Sequence, residues 1–182
     1  MKLVLASKSP RRSEILKNAG IDFVVRVADA DETLPQGIKP CDAVVFLAAK
    51  KAMAVERAEN ETVLGADTIV VLDDKILGKP KDKDDAYNMI KSLSGRVHSV
   101  FTGVCVIGDG YSMTFAEETK VEFLPLTEEE IQDYINSDEP YDKAGAYGIQ
   151  GLASKFIRGI EGDYFNVVGL PISRIYEKIL RK

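Results

Sequence analysis

Three short stretches of this chain carry residues whose types and spacing could do chemistry. The first is Ser7-Lys8-Ser9-Pro10-Arg11-Arg12. Ser9 suits a helix N-cap and Pro10 the first helical turn. Lys8, Arg11 and Arg12 then crowd the positive end of a helix, where the macrodipole disfavours cations by a few tenths of a kcal/mol each. Free amides and two guanidinium forks at one helix start make a polyanion site, most simply for phosphates. A solvated basic face that tolerates the small penalty is the competing reading.

The second stretch is Val63-Leu-Gly-Ala-Asp67-Thr68-Ile-Val-Val71, followed by Ile76-Leu-Gly78-Lys79-Pro80-Lys81. Asp67 and Thr68 interrupt an otherwise apolar strand. A buried carboxylate needs a cation, a metal or several donors. Asp67 is therefore a hard-cation ligand, a general base for water, or an aspartate satisfied by nearby backbone. Lys79 and Lys81, spaced by a proline, could hold a triphosphate tail, although alone they would read as a solvated loop. The third stretch is Glu139-Pro-Tyr-Asp-Lys-Ala-Gly145-Ala-Tyr-Gly148-Ile-Gln150-Gly151. Its glycines do not fit the dinucleotide pattern, and the chain has no GxxxxGK[ST] phosphate loop. Gln150 sits among small residues. Its amide can accept from a pyrimidine imide N–H and donate to the neighbouring carbonyl.

The elements that must position these groups follow from pattern. Leu3 to Leu5 read as a strand, followed by a helix that Gly20 stops. Residues 29–40 are a polar, proline-punctuated loop. Asp42 is expected to cap a helix to about Arg57. Val63 to Leu72 is a buried strand, with a turn at Asp73-Asp74 and a return strand from Lys75 to Leu77. A helix runs from Asp84 to Leu93 and ends at Gly95. Val97 to Ile107 and Ser112 to Phe123 are strands joined around Gly108-Asp-Gly110. Thr127-Glu-Glu-Glu130 is a capping box opening a helix to about Asn136. Residues 138–151 form a glycine-rich loop. Phe156 to Ile160 and Tyr164 to Val168 are expected strands, and Pro171 opens the last helix. Helices alternate with strands, but hairpins intervene, so the expected fold is α/β with a central mixed sheet flanked by helices.

Composition narrows the chemistry. The 182 residues suit one domain or two interlocked lobes with a sizeable core, and 45% hydrophobic and 29% charged content is ordinary for a globular protein. A net charge of −5 disfavours broad nucleic-acid binding, so attraction to phosphates must be local. His98 is the only histidine, which removes His-based triads with a spare ligand and multi-histidine zinc sites. Cys41 and Cys105 lack metal-ligand spacing and suggest no disulfide framework. No signal peptide is evident and no apolar run approaches membrane-spanning length, so a cytoplasmic address without membrane contact is expected.

Taken in order, Ser7-Lys-Ser-Pro-Arg-Arg12, Gly65-Ala-Asp-Thr68, Gly78-Lys-Pro80, Leu93-Ser-Gly95, Asp142-Lys-Ala-Gly-Ala-Tyr-Gly-Ile-Gln-Gly151 and Gly169-Leu-Pro171 resemble the motifs of the Maf family of nucleoside triphosphate pyrophosphatases. The resemblance covers nearly the whole chain. It implies an elongated, two-lobed Maf/ITPase-like domain over residues 1–182 with a cleft between lobes. It implies hydrolysis of a nucleoside triphosphate to the monophosphate and pyrophosphate with a divalent cation, Mg2+ or Mn2+, in nucleotide-pool house-cleaning. The catalytic aspartate falls on Asp67. Phosphate-binding groups fall on Arg11, Arg12, Lys51, Lys79 and Lys81, with Ser7 in the same loop, and Glu32 matches an acidic position that helps hold metal. One carboxylate cannot fully serve as both ligand and base, so Asp67 is taken as the base and its ligation left open. The dTTP- and UTP-preferring branch carries an arginine, a threonine and a glutamine at specificity positions, here Arg11, Thr68 and Gln150. Modified pyrimidine nucleotides are further expected substrates, and a homodimer is compatible with the sequence. The rival implied by the family's first description is a septum-formation regulator that binds nucleic acid or a division protein.

Overall fold

A computed structural model of the protein describes residues 2–181. The chain divides into two compact units. The first comprises Met1–Thr68, Thr102–Glu117 and Gly169–Lys182, and the second Ile69–Phe101 and Glu118–Val168. The strands β1 (Lys2–Leu5), β2 (Phe23–Val25), β3 (Glu61–Leu72), β4 (Lys75–Leu77), β5 (Val97–Gly108), β6 (Tyr111–Phe123) and β7 (Ile157–Glu161) form a seven-stranded sheet. Its order is β2-β1-β3-β5-β6-β7, with β4 paired to β3. Parallel and antiparallel pairings coexist, so the sheet is mixed, as the interleaved helices and hairpins predict.

In the first unit, β1 runs parallel to both β2 and β3, with Val4 opposite Val24 on one side and Val63 on the other. Parallel neighbours need crossover connections. Helix α1 (Pro10–Asn18) supplies one and α2 (Pro40–Ala54) the other. Leu3, Val4 and Leu5 are all buried, which fits a strand covered on both faces. Val4, Ala6, Ala48, Ala52, Val55, Val63 and Cys105 form its core cluster. Small residues dominate the α2 contribution because the helix lies unusually close to the strands. A Cβ placed on Gly65 would stand 2.9 Å from the Ala52 Cβ and closer still to the Ala48 carbonyl, and one on Gly103 would run into the backbone of Val44.

The second unit holds α3 (Lys83–Leu93), α4 (Glu128–Ile135) and α5 (Tyr164–Val168). Its core joins Ile90, Leu93, Val121, Phe123, Ile131, Tyr134, Tyr147 and Phe156. The Thr127/Glu130 capping box forms as expected, and Asp82 caps α3 by accepting from the Asp85 N–H. The antiparallel pairs β3–β4 and β6–β7 set Val70 opposite Leu77 and Val121 opposite Ile160. The glycine-rich loop contains short 3-10 turns at Pro140–Asp142 and Ala144–Ala146, and another turn, Leu152–Phe156, follows it.

Two expectations are corrected. Tyr164 to Val168 is a helix rather than a strand. Asp163 Oδ1 accepts the Phe165 N–H at 2.7 Å, an N-cap bond that a reading by aromatic and β-branched content overlooks. Helical geometry also turns Asn166 inward, where its amide donates to Val100 O and Thr119 Oγ1, both at 3.0 Å. Helix α2 starts at Pro40, two residues before Asp42, because the ring fixes φ for a first helical turn and Lys39 occupies the cap position. The last helix, α6 (Ile172–Ile175), continues as a π-type turn over Tyr176–Leu180. Among the described residues no helix is long and apolar enough to cross a membrane.

His98 lies buried in the second unit, edge-on to Phe123 and Tyr147, with Nε2 at 2.7 Å from the Tyr147 hydroxyl and Nδ1 without a hydrogen-bond partner. Burial pushes its pKa from 6.5 down to about 4. Between those values the unfolded chain binds the proton and the native chain does not. Stability should therefore fall as pH drops from 6.5 towards 4, by up to roughly 3 kcal/mol from this group. Urea unfolding of wild type and His98→Gln at about pH 7 and about pH 4.5 checks this. The variant's stability should decline less over that interval, and equal declines would show that His98 does not titrate as a buried neutral ring.

Candidate active site

The close approach of α2 to β3 is what brings opposite charges together. Gly65 leaves room for Ala48 and Ala52, and Lys51, on the same turn, reaches over the strand. Its Nζ donates to Asp67 Oδ1 at 2.5 Å and stands 3.1 Å from Glu32 Oε1. The Lys51 and Asp67 side chains keep only 20% and 13% of their exposure, whereas Glu32 in the 29–40 loop keeps 59%. Two carboxylates thus converge on one ammonium and leave a local excess of one negative charge. Among the described residues no three His, Cys, Asp or Glu side chains gather at one point.

Arg12 organises the other half of this unit's polar residues. It is 8% exposed and points inward from the first turn of α1. Its Nε donates to Gly169 O at 2.8 Å, one terminal nitrogen to Ser7 Oγ at 2.9 Å and the other to Thr68 Oγ1 at 3.1 Å. The Thr68 hydroxyl lies 2.9 Å from that of Thr102, which is fully buried. Ser7 Oγ also accepts the Ser9 N–H at 3.2 Å, so the loop before α1 is shaped by Ser7, while the Ser9 side chain makes no capping bond. Burial lowers the Arg12 pKa, the Asp67 charge partly restores it, and the neighbouring Arg11 lowers it again. Arg11 is half-buried and Lys8 exposed on the same helix start. The two arginines are therefore not equivalent forks on a solvated face. Arg12 fastens three chain segments together.

Ser7, Arg12 and Thr68 are thus joined directly, as are Glu32, Lys51 and Asp67. Lys79, Lys81 and Gln150 belong to the second unit. All three are exposed, the lysines on either side of buried Pro80. Their loops are tied, because the Gly145 N–H donates to Gly78 O at 2.9 Å. Gly145 has φ +68°, and a Cβ there would crowd Val70 at 2.9 Å, so only glycine suits the position. Two participants are not evident from motif reading: the Gly169 carbonyl, which serves as an acceptor, and Thr102. Thr102 interrupts the apolar run of β5 just as Thr68 interrupts β3, and that shared irregularity is the signal that marks it.

A family model described as Maf-like protein matches residues 2–182. A dTTP/UTP pyrophosphatase of Bacillus cereus is 49% identical over 179 residues, covering 98% of this chain and 94% of its own. Proteins of the same description from Bacillus anthracis and Bacillus mycoides are each 50% identical over the same shares. Among solved structures, the Ham1 protein of Staphylococcus aureus overlaps 68% of this chain and 72% of its own with a TM-score of 0.49 and 18% identity.

Removing the Arg12 side chain takes a donor from the buried Gly169 carbonyl and one partner each from the Ser7 and Thr68 hydroxyls, which keep Ser9 N–H and Thr102 Oγ1. Arg12→Ala should therefore lower the free energy of unfolding by about 3 kcal/mol. Urea titration checks this, and a loss below about 1 kcal/mol would mean that the guanidinium does not hold the segments together.

Proposed function

From the premise that the chain belongs to the family of Maf-like proteins, we propose that it hydrolyses dTTP and UTP to the nucleoside monophosphate and pyrophosphate. The observation that carries this reading is identity near 50% along 98% of the chain with proteins described as dTTP/UTP pyrophosphatases. The residues of the first unit have the chemistry it requires. Asp67 is the general base, accepting a proton from the attacking water. Lys51 engages Oδ1 of Asp67, which leaves Oδ2 for the water. Arg11, Lys79 and Lys81 are assigned to phosphate charge, with the Ser7 loop shaped for phosphate by Arg12. Thr68 and Gln150, with Arg11, are assigned to recognition of the nucleotide.

The donor set also suits a divalent cation. Glu32 and Asp67 already share one positive group, and Mg2+ is commonly held by one or two carboxylates while substrate phosphates and water complete its shell. With Asp67 assigned as the base, Glu32 beside it is the carboxylate assigned to a metal that arrives with the triphosphate. Mg2+ or Mn2+ held there would offset developing negative charge on the phosphoryl oxygens. Modified pyrimidine triphosphates fit the same reading, because a glutamine amide reads the imide edge and leaves the ring's other edge unspecified.

Pyrophosphate release from a panel of purine and pyrimidine triphosphates with each metal tests the proposal. The kcat/KM values for dTTP and UTP should exceed those for ATP and GTP. Gln150→Ala should compress that ratio, because an unmatched base no longer strands a polar group. A wild-type preference for purines would defeat the reading.

Asp67→Asn keeps the side-chain shape and removes the basicity. It should lower kcat at least about a hundredfold with little change in melting temperature. Retention of half the wild-type rate would remove Asp67 from the role of base.

A further inference from the structure

Gln150 is exposed, so its accuracy as a reader of the base depends on the backbone that presents it. That backbone rests on the segment 139–143. A Cβ on Gly148 would stand 2.8 Å from the Lys143 Cε, and one on Gly151 would run into the Glu139 carboxylate. The two glycines flanking Ile149 and Gln150 thus lie against side chains from one underlying stretch. Glu139 Oε2 accepts the Leu152 N–H at 2.6 Å, and Oε1 accepts the Ala153 N–H at 3.3 Å and the Tyr134 hydroxyl at 3.2 Å. Lys143 Nζ donates back to Glu139 O at 2.7 Å and to Asp142 Oδ1 at 2.6 Å. On the other side of Gln150, the Tyr147 hydroxyl meets His98 Nε2 at 2.7 Å. Ile149 and Gln150 therefore span two fixed ends.

We infer that Glu139 is a positioning residue for base selection, its carboxylate setting the backbone that presents Gln150. The inference rests on the reading of the chain as a pyrimidine-selective pyrophosphatase. A carboxylate is the right group for this task. It accepts from two backbone amides at once, and bonds to an ionised acceptor are shorter and roughly twice as strong as neutral ones. The amide isostere keeps one acceptor oxygen and turns N–H groups towards a donor. A reader displaced by about 1 Å loses the geometry on which hydrogen-bond discrimination depends.

Two variants test this from opposite ends of the contact. Glu139→Gln changes the acceptor. Leu152→Pro removes the donor and leaves Glu139 intact. Proline suits this first position of a helical turn, and the leucine side chain is 55% exposed, so little burial is lost. The readout is kcat/KM for dTTP divided by that for GTP, measured on purified wild type and on each variant. In both variants the ratio should fall about tenfold. A purely structural role would lower the folded fraction and reduce both substrates together, so an unchanged ratio in variants with reduced activity overturns the inference. So does a ratio that stays at the wild-type value in Glu139→Gln, whatever Leu152→Pro does, because the carboxylate would then not set the backbone that presents Gln150. A wild-type chain with no preference for dTTP over GTP overturns the pyrimidine reading itself, and the inference with it.

Discussion

A guanidinium withdrawn from water must be given oxygens, and the burial of Arg12 imposes that demand on the first unit. Its donors run to a serine in the first loop, a threonine in β3 and a carbonyl at the start of the last segment. None of these acceptors is a carboxylate, so the charge is spread over neutral dipoles. The nearest formal balance is the Asp67 charge, which acts on Arg12 through space. The arrangement leaves Asp67 paired with Lys51 and leaves Arg12 as a fixed positive background. Such a background favours anions near the Ser7 loop without being consumed by a salt bridge.

The second constraint is steric. An ammonium can sit 2.5 Å from the Asp67 carboxylate only because α2 lies almost on the backbone of β3. Gly65 makes that approach on β3 as Gly103 makes one against Val44 on β5, and Ala48 and Ala52 are buried in the contact. The charge pair is thereby set by packing between small residues. Packing of this density is stiff, so the separation of Lys51 and Asp67 is a property of the scaffold rather than of two mobile side chains.

Much of this was legible in the sequence where a residue broke a local pattern. Asp67 and Thr68 stand out in an apolar strand, and the basic cluster after Pro10 opposes the helix dipole. The mixed sheet follows from alternating helices and hairpins. What was not legible depends on distant partners. Nothing near Arg12 announces that two of its three acceptors lie 56 and 157 positions away, so it reads like its neighbour Arg11. Glu139 reads as a loop residue because its amide partners come 13 and 14 residues later. The helix at Tyr164–Val168 was hidden because a short segment of aromatic and β-branched residues around one asparagine suits a strand equally well, and the Asp163 cap separates the two.

The span of the Arg12 contacts also bears on the order of events during synthesis. Ser7 and Thr68 are available once the first third or so of the chain has been made, but the Gly169 carbonyl emerges near the end. Until then the guanidinium lacks one of its three acceptors, and the loop before α1 is held only from one side. Contacts of such long sequence separation form late, because chain closure must precede them. A ribosome-bound fragment ending before Gly169 would therefore carry Glu32, Lys51 and Asp67 and still lack one of the three contacts that fasten Arg12. Completion of the site is tied to synthesis of the segment that begins at Gly169.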